Sequence, residues 1–182
     1  LKLNKPTNNV NASWQLCAPE SVPGFSAVAY YFARDLQKAL GVPVGIIHTS
    51  WGGSPAEVWM SDQVLSANPE YKKDIIDSGA EKYKKFEDNA AAWEKEKADL
   101  EKDGKKITRN RPFPPWRPTE LYNGMIAPLA GLAVKGVIWH QGYNNALDGM
   151  PGVILYRAVL PELLRAWREA FGDPQLPFGI LS

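Results

Sequence analysis

With 182 residues, 45% of them apolar and 23% charged, the chain has ordinary globular usage and length for one domain or most of one. Its 21 basic residues against 20 acidic ones leave a formal charge of +1, which argues against a basic face for nucleic acid or an anionic membrane. No apolar run approaches the roughly 18 to 20 residues that span a bilayer, and no basic-then-apolar signal peptide opens the sequence. The single cysteine, Cys17, excludes an internal disulfide and a multi-cysteine zinc site, and two histidines, His48 and His140, leave little for a histidine-rich one. Neither a metal nor an organic cofactor is expected. Seven tryptophans suit cores and sugar clefts alike and tilt the balance toward a carbohydrate ligand.

In chain order, residues 1 to 24 are polar and turn-rich and read as an irregular lead-in. Residues 25 to 40 read as a helix: Phe25, Val28, Ala29, Phe32, Leu36 and Leu40 follow the 3.6-residue period, and Gly41 and Pro43 stop it. Residues 44 to 48 read as a short buried strand, running into Trp51-Gly52-Gly53. Such a strand end is where an α/β protein presents backbone to a ligand. Residues 71 to 106 hold 10 lysines and 10 acidic residues and no proline, and Ile76, Tyr83, Phe86, Ala90 and Trp93 recur at helical steps. They predict a long amphipathic helix or helical hairpin, solvated and inserted into the domain, with a partner-binding arm as the other reading. The prolines of residues 107 to 119 predict an extended connector. A second strand is expected over 134 to 139, a helix over about 153 to 170 ended by Gly172 and Pro174, and a third strand over 177 to 181. This alternation predicts a parallel sheet with helical crossovers. A chain closing on an apolar strand suggests a domain incomplete at both ends.

The chemistry-bearing residues are sparse. No Gly-x-Ser-x-Gly elbow, phosphate loop, zinc spacing or dinucleotide fingerprint occurs. Ser50 and Ser54 flank the Gly-Gly turn and read as turn or cap residues, and His48 and His140 read as packed or hydrogen-bonded ones. A Ser50 or Ser54 paired with His48 or His140 is a rival catalytic arrangement. The two strand ends carry more. A free amide at Gly52 or Gly53 can face a developing oxyanion, and Gln141 offers a side-chain amide after the next strand. The plain alternative is two ordinary strand-to-helix turns.

Four stretches resemble the sialate O-acetylesterase family. They are Phe25 to Phe32 continuing through Gly41 to Ile47; Ser50-Trp51-Gly52-Gly53-Ser54-Pro55-Ala56-Glu57; Leu121-Tyr122-Asn123-Gly124-Met125-Ile126-Ala127-Pro128-Leu129; and Gly136 to Gly142. The resemblance covers nearly the whole chain, residues 1–182, apart from the charged insertion. It implies a flavodoxin-like α/β fold of the SGNH hydrolase type and removal of acetyl groups from sugars by a serine nucleophile. It also implies that Gly52, Gly53 and Gln141 line the oxyanion hole. Trp51, Tyr122, Asn123 and Asn145 are expected to border the substrate, with Trp51 as a wall for a sugar ring or as core. The family's Gly-Gln-Ser motif and its Asp-x-x-His motif are not in this sequence, so the nucleophile and its base are expected elsewhere, in the remainder of the polypeptide, with that remainder as a separate partner chain among the readings. The third motif departs from the family pattern: Tyr143 stands where a glutamate is usual, and Asn144 where a serine is. The family also implies a periplasmic or extracellular location. The alternative is a carbohydrate-binding or scaffold domain that has kept the fold and lost the chemistry.

Overall fold

The computed structural model describes residues 1–181. Helix α1 spans Ala27–Leu40. Ser26 is extended rather than helical and its side chain accepts from the Ala29 N–H, and Gly41 closes the helix at φ 65°. Its apolar stripe does not form core as the periodicity suggests. Only Ala33 is buried, and Phe32 is 54% exposed.

The strand expected over 44 to 48 does not form: Val44–His48 joins no ladder among the described residues. Val44 and Ile46 are half-buried and alternate with exposed Gly45 and Ile47, so the period-2 pattern is real. A strand, however, exists only through hydrogen bonds to a neighbour, and none lies alongside. The helix expected over 71 to 106 is also divided. Helices α2 (Asp62–Ala67) and α3 (Pro69–Tyr71) lead into a π-helical turn, Lys72–Asp77, and then into α4, Ser78–Lys102. The π turn carries one extra residue per turn and brings Ile75 into the core. Helix α4 stops before Lys105 and Lys106 because Gly104, at φ 70°, turns the chain back: Lys105 N–H donates to the Leu100 carbonyl. Trp93 and Ala90 pack inward, and the Trp93 Nε1–H donates to the Arg109 carbonyl at 3.0 Å. The proline-rich connector thus lies along the helix, further held by Arg109 to Glu96 and Arg111 to Glu94 ion pairs.

Among the described residues the sheet has two strands, not three. Strand β1 (Val137–His140) runs parallel to β2 (Phe178–Leu181), with Val137 opposite Phe178 and His140 opposite Leu181. Between them come α5 (Tyr143–Ala146) and α6 (Gly149–Phe171), a β-α-β crossover. Helix α6 begins four residues before the expected 153, since proline is tolerated in a first helical turn. The core lies where α6 crosses the sheet and meets Ala56–Met60. Trp139 stands edge-on between Trp59 and Trp167, with ring centroids 6.5 and 5.5 Å away. The Trp167 Nε1–H donates to the Trp59 carbonyl at 3.0 Å. Each such aromatic pair adds about 0.5–1.5 kcal/mol beyond the area it buries. The packing fixes the end of β1 against the segment after the Gly-Gly turn. No helix among the described residues is long and apolar enough to cross a membrane.

Candidate functional site

The Gly52–Gly53 turn and the end of β1 meet through side chains. Gly53 has φ 77°, a left-handed conformation that suits glycine, and it reverses the chain after Trp51. Ser54 then turns inward: its hydroxyl donates to the Trp51 carbonyl at 2.7 Å and accepts from Trp59 Nε1–H at 2.9 Å. This ties the turn to the tryptophan core. On the other side β1 ends at His140, and Gln141 follows. The Tyr156 hydroxyl donates to the Gln141 carbonyl at 2.8 Å and accepts from Trp139 Nε1–H. Gly142, at φ 143°, lets the Tyr156 ring lie against its α-carbon.

The Gln141 amide bridges the two loops. Its Nε2 donates to the Ser54 carbonyl at 3.1 Å and to Asn145 Oδ1 at 2.8 Å. Its Oε1 is buried and has no hydrogen-bond partner among the described residues. The amide cannot gain by flipping, because Oε1 would then face two acceptors. Asn145, one helical turn on, is 2% exposed. Its Oδ1 also accepts from the Ala56 N–H at 2.9 Å, and its Nδ2 donates to Glu57 Oε2 at 3.0 Å. Four residues from two distant segments therefore form one hydrogen-bonded unit, Ser54–Gln141–Asn145–Glu57.

The other expected site residues sit differently. Trp51 is 43% exposed, beside the glycines, with Lys2 Nζ 5.2 Å from its ring centroid and 3.6 Å over Trp116. An exposed indole next to the turn is free to face a ligand. Asn123 is 2% exposed, and its Nδ2 donates to the Leu3 carbonyl and to Thr119 Oγ1. It anchors the N-terminal segment. The Tyr122 phenol is held above its ordinary pKa, first by burial and then by the charge of Glu169. Glu169 lies near the end of α6. The structure thus gathers Trp51, Gly52, Gly53, Gln141 and Asn145 and buries Asn123 as an anchor, while Tyr122 opens a turn that packs on Ala56–Trp59 with its ring partly buried against the core.

His48 Nε2 and Ser50 Oγ are hydrogen-bonded, and the His48 ring packs on Phe25. No carboxylate hydrogen-bonds His48 among the described residues, Ser54 is committed to Trp51 and Trp59, and His140 is exposed at the end of β1. Glu57 closes the second of the four resembling stretches, but no role attaches to it in the sequence, because its partner Asn145 is 88 positions away.

No family model matches the chain. Relatives do. The mouse (Mus musculus) sialate O-acetylesterase is 32% identical over 166 residues, 86% of this chain and 29% of that protein. The human (Homo sapiens) sialate O-acetylesterase is 31% identical over 164 residues, 86% of this chain and 25% of that protein. A solved structure of a carbohydrate acetylesterase from Xanthomonas citri superposes with a TM-score of 0.67 at 30% identity, over 98% of this chain and 31% of that one. The chain therefore spans less than a third of the proteins it matches. Over the part that aligns, it belongs to the sialate O-acetylesterase family.

Proposed function

We propose that this chain supplies the oxyanion-stabilising part of a carbohydrate O-acetylesterase of the SGNH hydrolase type, secreted to the periplasm or the cell exterior. The observation that carries the reading is the Gln141 amide bound at 3.1 Å to the carbonyl of Ser54, which follows directly on Gly53. Two independent donors, a glycine backbone amide and a glutamine side chain, thereby share one locality. That is what stabilisation of a tetrahedral intermediate requires.

In this reading a serine from the remainder of the polypeptide attacks the acetyl carbonyl carbon, and a histidine held by an aspartate takes its proton. The carbonyl oxygen becomes an oxyanion facing the Gly52 or Gly53 amide and Gln141. Collapse expels the sugar hydroxyl, reprotonated by the histidine, and leaves an acetyl-serine. Water then attacks the same carbonyl by the same route and releases acetate. In the same reading Trp51, exposed beside the glycines, walls a sugar ring, while Asn145 holds Gln141. No step needs a metal or an organic cofactor.

The test is Gln141→Ala in the esterase that includes this chain. Removing one oxyanion donor is expected to lower kcat by about 100- to 1000-fold with little change in KM. An unchanged kcat removes Gln141 from the mechanism. A second reading, a sugar-binding domain without chemistry, draws on Tyr143, which stands where the family usually carries a glutamate and is 76% exposed. Stoichiometric labelling by a fluorophosphonate separates the two: the esterase takes up one probe on serine, the binding domain none.

A further inference from the structure

We infer that Glu57 is the positioning carboxylate of this site: acting through Asn145, it fixes the direction of the Gln141 amide. The inference rests on the esterase reading for its catalytic consequence, but not for its geometry.

The Gln141 amide has two N–H groups, and both are engaged, one to Asn145 Oδ1 at 2.8 Å and one to the Ser54 carbonyl at 3.1 Å. A developing oxyanion can gain one only if the other keeps the amide in place. The Asn145 bond is the shorter, and Asn145 is itself constrained. Its Oδ1 accepts from both Gln141 and the Ala56 N–H, which uses its two lone pairs. Its Nδ2 must then point away from these groups, and there Glu57 Oε2 receives it at 3.0 Å. A hydrogen bond to a carboxylate is about twice as strong as one between neutral groups. It also polarises the Asn145 amide, so that Oδ1 becomes the better acceptor for Gln141. One N–H of Gln141 is thus tied, and the other exchanges between Ser54 and substrate.

Glu57 is itself pinned from its other side. Its carbonyl accepts from the Thr119 N–H at 3.3 Å and the Met60 N–H at 3.4 Å. Thr119 is the single non-glycine residue with positive φ among the described residues, at 68°, and it is buried. A β-branched residue in that region is strained, and such strain persists only where its surroundings over-determine it. Here the strained residue delivers an N–H to the backbone of the positioning carboxylate. Position 143, where the family usually carries a glutamate, supplies no carboxylate in this sequence. In this chain Tyr143 points to solvent, and the carboxylate comes from the facing loop.

The test uses two readouts. In the 182-residue chain, the side-chain amide protons of Gln141 and Asn145 are followed by 15N-resolved hydrogen exchange. Glu57→Ala is expected to accelerate both by at least about 10-fold while the backbone protection of α6 is retained. Glu57→Gln, whose amide oxygen still accepts from Asn145, is expected to restore most of the protection. Unaltered exchange in Glu57→Ala overturns the inference. Should that variant not fold, Glu57→Asp keeps the charge but withdraws it by one methylene, and the same acceleration is required of it. In the esterase that includes this chain, Glu57→Ala is expected to lower kcat about 10-fold with KM within twofold, as a misaligned catalytic donor does. An active enzyme indifferent to Glu57→Ala sinks the catalytic role of Glu57. A wild-type protein with no esterase activity, but with accelerated exchange in the variant, sinks the esterase reading and leaves the Glu57–Asn145–Gln141 geometry standing.

Discussion

Gly52 and Gly53 stand side by side and answer to different constraints. A Cβ added to either would meet no atom within 4 Å, so neither is held by crowding. Gly53 alone has positive φ, at 77°. Gly53→Ala is therefore expected to cost about 1–2 kcal/mol of unfolding free energy from the backbone alone. Gly52→Ala is expected to stay within about 0.5 kcal/mol of the parent, as open surface positions do. Urea denaturation of both variants checks this, and equal losses would mean that the turn is held by something other than the φ of Gly53. At this scale the sequence was informative where chemistry is local. The Gly-Gly turn and the four-residue step from Gln141 to Asn145 are visible as written. The burial of Asn145 was not, because it follows from Glu57 and Ala56, far away in the chain. Asn123 was hidden for the same reason: its amide answers to Leu3, 120 positions upstream.

Helix α6 meets α5 at a contact with no slack. A Cβ on Gly152 would lie 1.9 Å from the Asn145 carbonyl oxygen, a backbone atom that cannot rotate away. Gly152→Ala must therefore push α6 from α5. It is expected to destabilise the chain by at least about 2 kcal/mol, within the range of overpacked cores, and to disturb the Asn145 and Gln141 amide resonances together. A thermal melt and an amide spectrum measure the two effects; a stable variant with wild-type resonances would show that the two helices are not rigidly coupled. Helices were the more legible elements because their hydrogen bonds are internal. The periodicity from Phe25 and the stop at Gly41 mark α1 within two residues, and Gly172 marks the end of α6. Strands need partners. Val44–His48 carries the strand pattern without a ladder, whereas Val137–His140 acquires one from β2. The division of the charged segment was also hidden. A π turn over Lys72–Asp77 changes the helical phase, and the composition there is that of any exposed helix.

At the scale of the whole molecule, the charged arm and the core are joined by few bonds. Residues 103–111 are exposed apart from Ile107, and Lys105 and Lys106 lie beyond the last turn of α4. Trypsin under native conditions is expected to cut there first, as at other exposed loop tips. The two pieces are expected to remain associated, because Trp59 belongs to one and Trp139 and Trp167 to the other, and the three rings pack edge-on in the core. Gel filtration after the cut reads this directly. Separate elution would mean that the connector, not the tryptophan cluster, holds the halves together. The exposed stripe of α1 has a colloidal consequence. Val28, Tyr31 and Phe32 offer other molecules an adhesive surface, and a net charge of +1 supplies almost no long-range repulsion to keep copies apart. This chain by itself is therefore expected to self-associate as its concentration rises, and light scattering over a dilution series reads it directly: an unchanged particle size would show that the α1 stripe is not adhesive.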